Sequence, residues 1–462
     1  MPALSPQEAV DRAIAASDAN GCIAIASYDA STNLRWANNT LTTNGMTETL
    51  ALSVVSTVDS ADGKRAASVS RNVTSVDDVL ALVGEADNAA RASGVADDAA
   101  PLVDGDSSPD WDTAPADAPV SSLSGIASWL GEIFASARSA DQGRYGYAEH
   151  SIASIYLGSS TGLRRRFAQP AVRVELTGRT ADGKRSAWSG QGAADVAAIN
   201  LATLEADVAQ RLAWGKRQIS LDAGRYPTIL PPSAVADLMV YAYWSAGALD
   251  AHEGQSVYSK AGGGTRVGDR LSDLPLTLRS DPAMPGQQCA PFLVTGASSR
   301  MASVFDNGAP IAATEWIRDG ALAALIQTRH SANLTGLPFT PMVDNLELTA
   351  PDAAGSVTDL VAATERGLLL TCLWYIREVD PQTLLLTGLT RDGVFLVEGG
   401  EVVGAVNNFR FNESPVGMLQ RVVEVGGTEE TLAREFGDYF TRTRMPALRV
   451  GDFNMSTVSQ AS

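Results

Sequence analysis

The chain has 462 residues, 45% hydrophobic and 19% charged, the balance of a soluble globular protein with room for two or three structural units. Its formal net charge of -18 argues against nucleic acid or anionic membrane as a direct partner, because both repel a negative surface. Three widely spaced cysteines, Cys22, Cys289 and Cys372, argue against a disulfide framework or a cysteine zinc knuckle and fit a reducing cytoplasm.

The first twenty residues carry acids where an export signal needs a basic start and an apolar run, so no such signal is read there. Residues 5 to 19 have Ala, Val and Ile at helical spacing. Strand-like runs follow (CIAIASYD, NLRWANNTL, TLALSVVSTVD, KRAASVSRNV), broken by turn-rich STN, TTNG and SADGK. Residues 75 to 93 open with serine and early acids, which predicts a capped helix. Residues 1–96 therefore read as an N-terminal α+β domain. Residues 97–119 hold seven Asp, four Pro and no Lys or Arg, the composition of a mobile, solvated loop; 97–120 is read as an acidic linker or loop.

A helix is predicted at 121–139 and another at 203–218, with Leu204, Val208, Leu212 and Trp214 along one side. Between them lie strand-like segments and a hairpin signal at Asp182-Gly183. This makes 121–220 a helix and hairpin middle region. From 221 to 462 the dipeptide turns of FDNG, IRDG, TRDG and VEGG separate many strand candidates, which predicts a mostly antiparallel, barrel-like domain. Within it, 233–249 (SAVADLMVYAYWSAGAL) is apolar apart from Asp237 and too short for a bilayer, so it reads as a buried helix. A further helix is expected at 428–437. The whole is α+β.

The chemistry-bearing candidates are few. His252-Glu253 resembles the start of a zinc-peptidase helix, where two His on one face hold the metal and a Glu acts as base. The second His would fall on Ser256 or Val257, neither of which ligates as imidazole does, and Gly254 weakens a helix there. His150 and His330 are remote in sequence. Cys22 and Cys372 sit in apolar runs and read as inert thiols, whereas Cys289 in PGQQCAP reads as the exposed one. The GGG at 262–264 lacks the Gly-Lys-Ser/Thr ending of a phosphate loop. The LRRRF cluster at 163–167 can pair with acids of a partner or of the chain itself. No complete catalytic constellation emerges, and no catalytic, cofactor-binding or metal residue is assigned in this chain.

Five segments together resemble the TldD/PmbA family, also described as modulators of DNA gyrase: 35–45, 226–239, 305–332, 368–403 and 445–456. Asp306, Gly308, Pro310, Ile317, Gly320 and Leu322 carry the third of these. The resemblance implies paired cytoplasmic subunits of a zinc metalloprotease that trims unfolded or leader peptides. In the TldD-type subunit an HExxxH helix follows an ILPP-like segment, and a cysteine lies near the C-terminus. Here those positions fall on or near Val240, Tyr241 and Ser245, and MPALRVGDFNMSTVSQAS has no cysteine. The chain thus resembles the metal-free PmbA/TldE-type subunit, with zinc expected in a TldD-type partner and an extended peptide as substrate. Two other readings stay open: a homodimeric peptide-binding protein without protease activity, and a metallopeptidase using His252, Glu253 and a distant His.

Overall fold

The computed structural model describes residues 4–459. Ser5 accepts the Glu8 amide and starts the helix Pro6–Ala16, where proline occupies a first-turn position whose N–H would have no helical partner. Ser75 and Asp78 cap Val76–Ala92 reciprocally. Val10 and Ala13 of the first helix and Val79, Leu82 and Val83 of the second pack on one face of a six-stranded sheet, against Cys22, Ala24, Ala26 and Val54.

The strands of this sheet run in the order 63–72, 40–60, 21–37, 142–159, 164–180, 186–193. Every neighbouring pair is antiparallel. One sheet therefore joins the segments read separately as 1–96 and 121–220. The junction is the ladder from Ile23–Ser159 to Trp36–Gly146, a pairing across more than a hundred residues of chain that local turn signals do not announce. Helices Ser124–Ser139 and Leu201–Trp214 extend the helical layer on the same face, where Leu130, Ile133, Leu204 and Val208 meet Leu34, Trp36 and Val174. The expected hairpin at Asp182-Gly183 links 164–180 to 186–193, with Gly183 at φ 70. At one end the opposite face, through Ile23, Ile25, Val55 and Leu157, meets Phe292, Val304 and Phe305 from the second half of the chain.

The acidic stretch lies along this sheet. Trp111 is buried edge-on against Tyr156, their centroids 5.7 Å apart. The Ser108 amide donates to the Arg164 carbonyl at 3.0 Å. The LRRRF arginines turn to acids of this same chain: Arg164 to Asp11 (2.9 Å) and Arg166 to Asp110 (3.3 Å). A composition with many Asp still docks because its own Trp111 is buried against Tyr156 and a basic strand receives it.

The second sheet begins at Gln218–Ile219 and has 14 strands. Three of its pairings are parallel and the rest antiparallel. It branches at the long strand Thr443–Val458, which pairs with 224–230, 346–349, 409–413 and 422–431, so it is not a closed barrel. Asp319 and Gly320 form a tight hairpin turn with φ 47 and 82. The EGG turn joins 394–398 to 401–406. TRDG does not close a hairpin: the strand before it, 385–390, pairs with 373–380 and 409–413, while the strand after it, 394–398, pairs with 366–370 and 401–406. The expected helix at 428–437 is also absent. Val422–Thr431 is a strand paired with Thr443–Val458, and the residues after it form an irregular strap. Cross-strand partners outweigh the helical propensity of TEETLAREFG.

Candidate functional site

Strand Gly224–Leu230 is paired on both sides, by 366–370 and by Thr443–Val458. It delivers the chain to Pro231 and Pro232, which end the strand and start the helix Pro232–Trp244. The helix is buried nearly all round: Ala234, Val235, Ala236, Asp237, Leu238, Met239, Val240, Ala242 and Tyr243 are inaccessible. It stops at Ser245, and a second short helix, Ala248–His252, follows.

The resemblance puts a metal motif on or near Val240, Tyr241 and Ser245, which lie on this helix and at its end. Val240 is an apolar core residue. Tyr241 is half-buried with its ring 5.7 Å from Phe436. Ser245 donates its hydroxyl back to the Tyr241 carbonyl at 3.0 Å. None offers an imidazole or carboxylate, so the residues present do not fit a zinc ion. An aromatic cluster packs on this helix: Phe436 lies 5.2 Å from Trp244, and Phe440 lies 6.1 Å from Tyr243 and 6.2 Å from Trp244. Both phenylalanines belong to the irregular strap, and Phe436 falls within the helix expected at 428–437.

Asp237 ties that strap to the helix. One carboxyl oxygen accepts the amides of Glu435 (2.8 Å) and Phe436 (3.3 Å). The other is buried without a hydrogen-bond partner. Burial pushes the acid up to about 8, against the pull of those two amides and Arg434, so it holds its proton at neutral pH. Arg434 is the strap's other anchor: its guanidinium lies 3.7 Å from the Trp374 ring centroid and 5.3 Å from that of Trp188. Arg391 covers Trp374 at 4.2 Å. Trp188 belongs to the first sheet and Trp374 to the second, so Arg434 links the two.

At the C-terminal end of the helix opens a cleft of about 560 Å³, lined by Trp244, Ser245, Asp250, Gln255, Ser256, Glu378, Pro381 and Gln382. Asp250 and Glu253 are held by one arginine, Arg300, which lies 2.5 Å from Glu253. Partial burial and Asp380 hold Glu378 above the usual carboxylate range. One wall is the strand Leu373–Asp380, which pairs only with 385–390 among the described residues and is an open sheet edge. It bulges at two places and carries Tyr375 at φ 52.

The other candidates do not converge. His252 is exposed at the end of its short helix, and Glu253 is engaged by Arg300. His150 is on the first sheet, 2.9 Å from the Ser122 hydroxyl, and His330 is on the helix Arg329–Thr335. Among the described residues no group of three or more His, Cys, Asp or Glu side chains is placed to hold a metal. Cys289, expected to be exposed, is buried, because its loop folds back and the Cys289 amide donates to the Pro282 carbonyl at 3.1 Å. Burial pushes its thiol up to about 11 and that of Cys22 up to about 12; it raises Cys372 as well. Gly262, Gly263 and Gly264 form an exposed turn with positive φ, away from any helix start.

The model of the PmbA/TldA metallopeptidase C-terminal domain matches residues 223–457, just over half of the chain. No curated protein is similar enough in sequence to match. Three crystal structures share the fold over nearly their whole length. TldE of Thermococcus kodakarensis is 15% identical with a TM-score of 0.73, covering 96% of this chain and 98% of its own. A candidate modulator of DNA gyrase from Bacteroides thetaiotaomicron is 14% identical, TM-score 0.76, covering 98% of each chain. One from Thermotoga maritima is 15% identical, TM-score 0.76, covering 97% of this chain and 99% of its own. With the sheet, the buried helix and its proline entry all in place, the chain belongs to the PmbA/TldD family.

Proposed function

We propose that this chain is the metal-free, non-catalytic subunit of a TldD/PmbA-type zinc metalloprotease, working with a TldD-type partner on unfolded or leader peptides. The observation that carries the reading is the helix Pro232–Trp244, with an apolar Val240, an aromatic Tyr241 and a hydroxyl at Ser245 where a metal helix needs two imidazoles and a carboxylate. The likeness to a TldE points the same way. The chain's contribution is then binding. An extended peptide can lie in the cleft beside Leu373–Asp380 and bond over a short stretch to the backbone of this bulged, charged edge, which does not pair along its whole length. The apolar runs 368–376 and 384–398, which as sequence suggest a surface for a partner to cover, contain the strands 366–370 (in part) and 394–398, and these are already buried within the chain itself. Three free, buried cysteines fit a cytoplasmic setting, and no helix among the described residues is long and apolar enough to cross a membrane.

The test is purification alone and together with an HExxxH-bearing chain of the family. The lone protein should carry no stoichiometric zinc and should leave a denatured, unfolded substrate intact, and the pair should cleave it. Stoichiometric zinc with cleavage by the lone protein overturns the reading. A tight homodimer that ignores the TldD-type chain favours a homodimeric peptide-binding protein instead.

A further inference from the structure

The strand Thr40–Ser60 is 21 residues long, but its outer neighbour, Gly63–Asn72, pairs only with Ala51–Ser60. Among the described residues its other half, Thr40–Leu50, is paired on one side alone, with Gly21–Ala37. Leu50 closes that gap by accepting the Val73 amide. Thr40–Thr49 is left as an open edge about 33 Å long, in which alternate residues turn their N–H and C=O outward. All but Gly45 and Thr49 of these ten residues are exposed, Met46 at 55% and Leu41 at 44%.

Open edges normally carry features that prevent pairing: charge, proline, or bulges. Leu373–Asp380 has Arg377, Glu378 and Asp380, two register shifts and a Tyr375 at positive φ. Gly63–Asn72 has Lys64, Arg65 and Arg71, and its Lys64 carbonyl is taken by the Ala96 amide. Thr40–Thr49 (TLTTNGMTET) has no proline and a single charge, Glu48, and its one register shift leaves Thr42 as an extra residue between the Trp36–Leu41 and Arg35–Thr43 pairs, so that Thr43–Thr49 is the regular stretch. It is rich in threonine, which favours strands.

We infer that Thr40–Thr49 is a self-pairing edge, which joins two copies of this chain antiparallel about a twofold axis at Gly45. Self-complementarity selects the occupant. In that register Met46 faces Asn44 of the second copy, Thr47 faces Thr43 and Glu48 faces Thr42, so no carboxylate meets another. Two chains of net charge -18 repel over most of their surface, and this nearly neutral edge is a place where they can approach. Threonine pairs across strands contribute favourably. The result is an isologous interface and one continuous 12-stranded sheet. The edge lies on the first sheet, apart from the cleft, so its failure leaves the proposed peptide-binding role standing, and the reverse also holds.

Sedimentation of the full-length protein tests this. The wild type should associate with rising concentration toward twice its 48.3 kDa. Thr43→Lys with Thr47→Lys sets like charges opposite each other and should weaken the dimer at least tenfold. Thr43→Lys with Thr47→Glu sets opposite charges face to face and should restore it, which separates loss of pairing from loss of fold. Gly45→Cys, which meets only the Asn33 side chain at 3.5 Å, should oxidise to a covalent dimer. A monomeric wild type at all concentrations, a Lys/Lys variant that dimerises like wild type, or a Gly45→Cys dimer that does not cross-link overturns the inference. A wild type that stays monomeric yet binds a TldD-type chain through this edge overturns it equally.

Discussion

Asp237→Asn removes a titrating carboxyl from the buried helix while leaving an oxygen to accept the Glu435 and Phe436 amides. The folded acid titrates at about 8, against 3.8 for a free aspartate, so the fold binds this proton more tightly than the unfolded chain does. Ionising it therefore weakens the fold: wild-type stability relative to the variant is highest below about pH 4, falls as pH rises, and levels off above the folded value. At about 1.4 kcal/mol per unit, the whole window is worth about 6 kcal/mol, of which about 4 kcal/mol falls between pH 5 and pH 9. An unfolding entropy of about 2.1 cal/mol/K per residue makes 1 kcal/mol worth about 1 °C in a chain of this length. Thermal melts followed by circular dichroism at pH 5, 7 and 9 should show the wild-type Tm falling about 4 °C further than that of the variant. Parallel curves for the two proteins refute the buried, protonated acid. Asp237→Ala is a separate case: it leaves both strap amides unpaired and should cost about 2–4 kcal/mol at pH 6, where the wild-type acid is neutral.

Arg434→Ala removes a cation stacked on Trp188 and Trp374 and should lower the denaturation midpoint by the equivalent of about 2–3 kcal/mol, and Arg434→Lys should not restore it, since the flat guanidinium is what stacks. A small thiol reagent at pH 8 should label none of the three cysteines in the folded protein within minutes and all three in denaturant; rapid native labelling of Cys289 contradicts its burial. His252→Ala should leave stability and the activity of the assembled pair within error of wild type, because the side chain is exposed and no ligand set surrounds it. Loss of activity in that variant revives a metal site at His252.

Much of the fold was legible because it was written locally. Helical spacing of Ala, Val and Ile marked the helix at Pro6, a serine cap marked the one at Val76, an apolar run broken only by Asp237 marked Pro232–Trp244, and Asp-Gly at 182 and 319 marked tight turns. The errors arose where distant partners decide. Residues 428–437 have helical residues, but the strand 443–458 supplies a ladder to the first of them and Asp237 takes the amides of Glu435 and Phe436. Cys289 follows two glutamines in a turn-rich stretch, yet its loop folds back and buries it in the main core. Strand 142–159 gives no local sign that it will lie beside 21–37. That Val240, Tyr241 and Ser245 carry no imidazole or carboxylate is read directly from the sequence; the aromatic packing on this helix is not, because Phe436 and Phe440 reach it from almost two hundred residues away. Asp237 stood out in sequence as a break in an apolar run, but its role depends on the strap.

The central claim is that this chain supplies binding and no metal. Its most direct test is zinc content by mass spectrometry of the dialysed, full-length protein, alone and in complex with an HExxxH-bearing chain, each assayed on an unfolded protein substrate. The account expects well under 0.1 zinc per chain and no cleavage for the protein alone, with zinc and cleavage appearing only in the complex and lost when the partner's motif is altered. One zinc per chain in the isolated protein, with cleavage that survives removal of any partner, would contradict it.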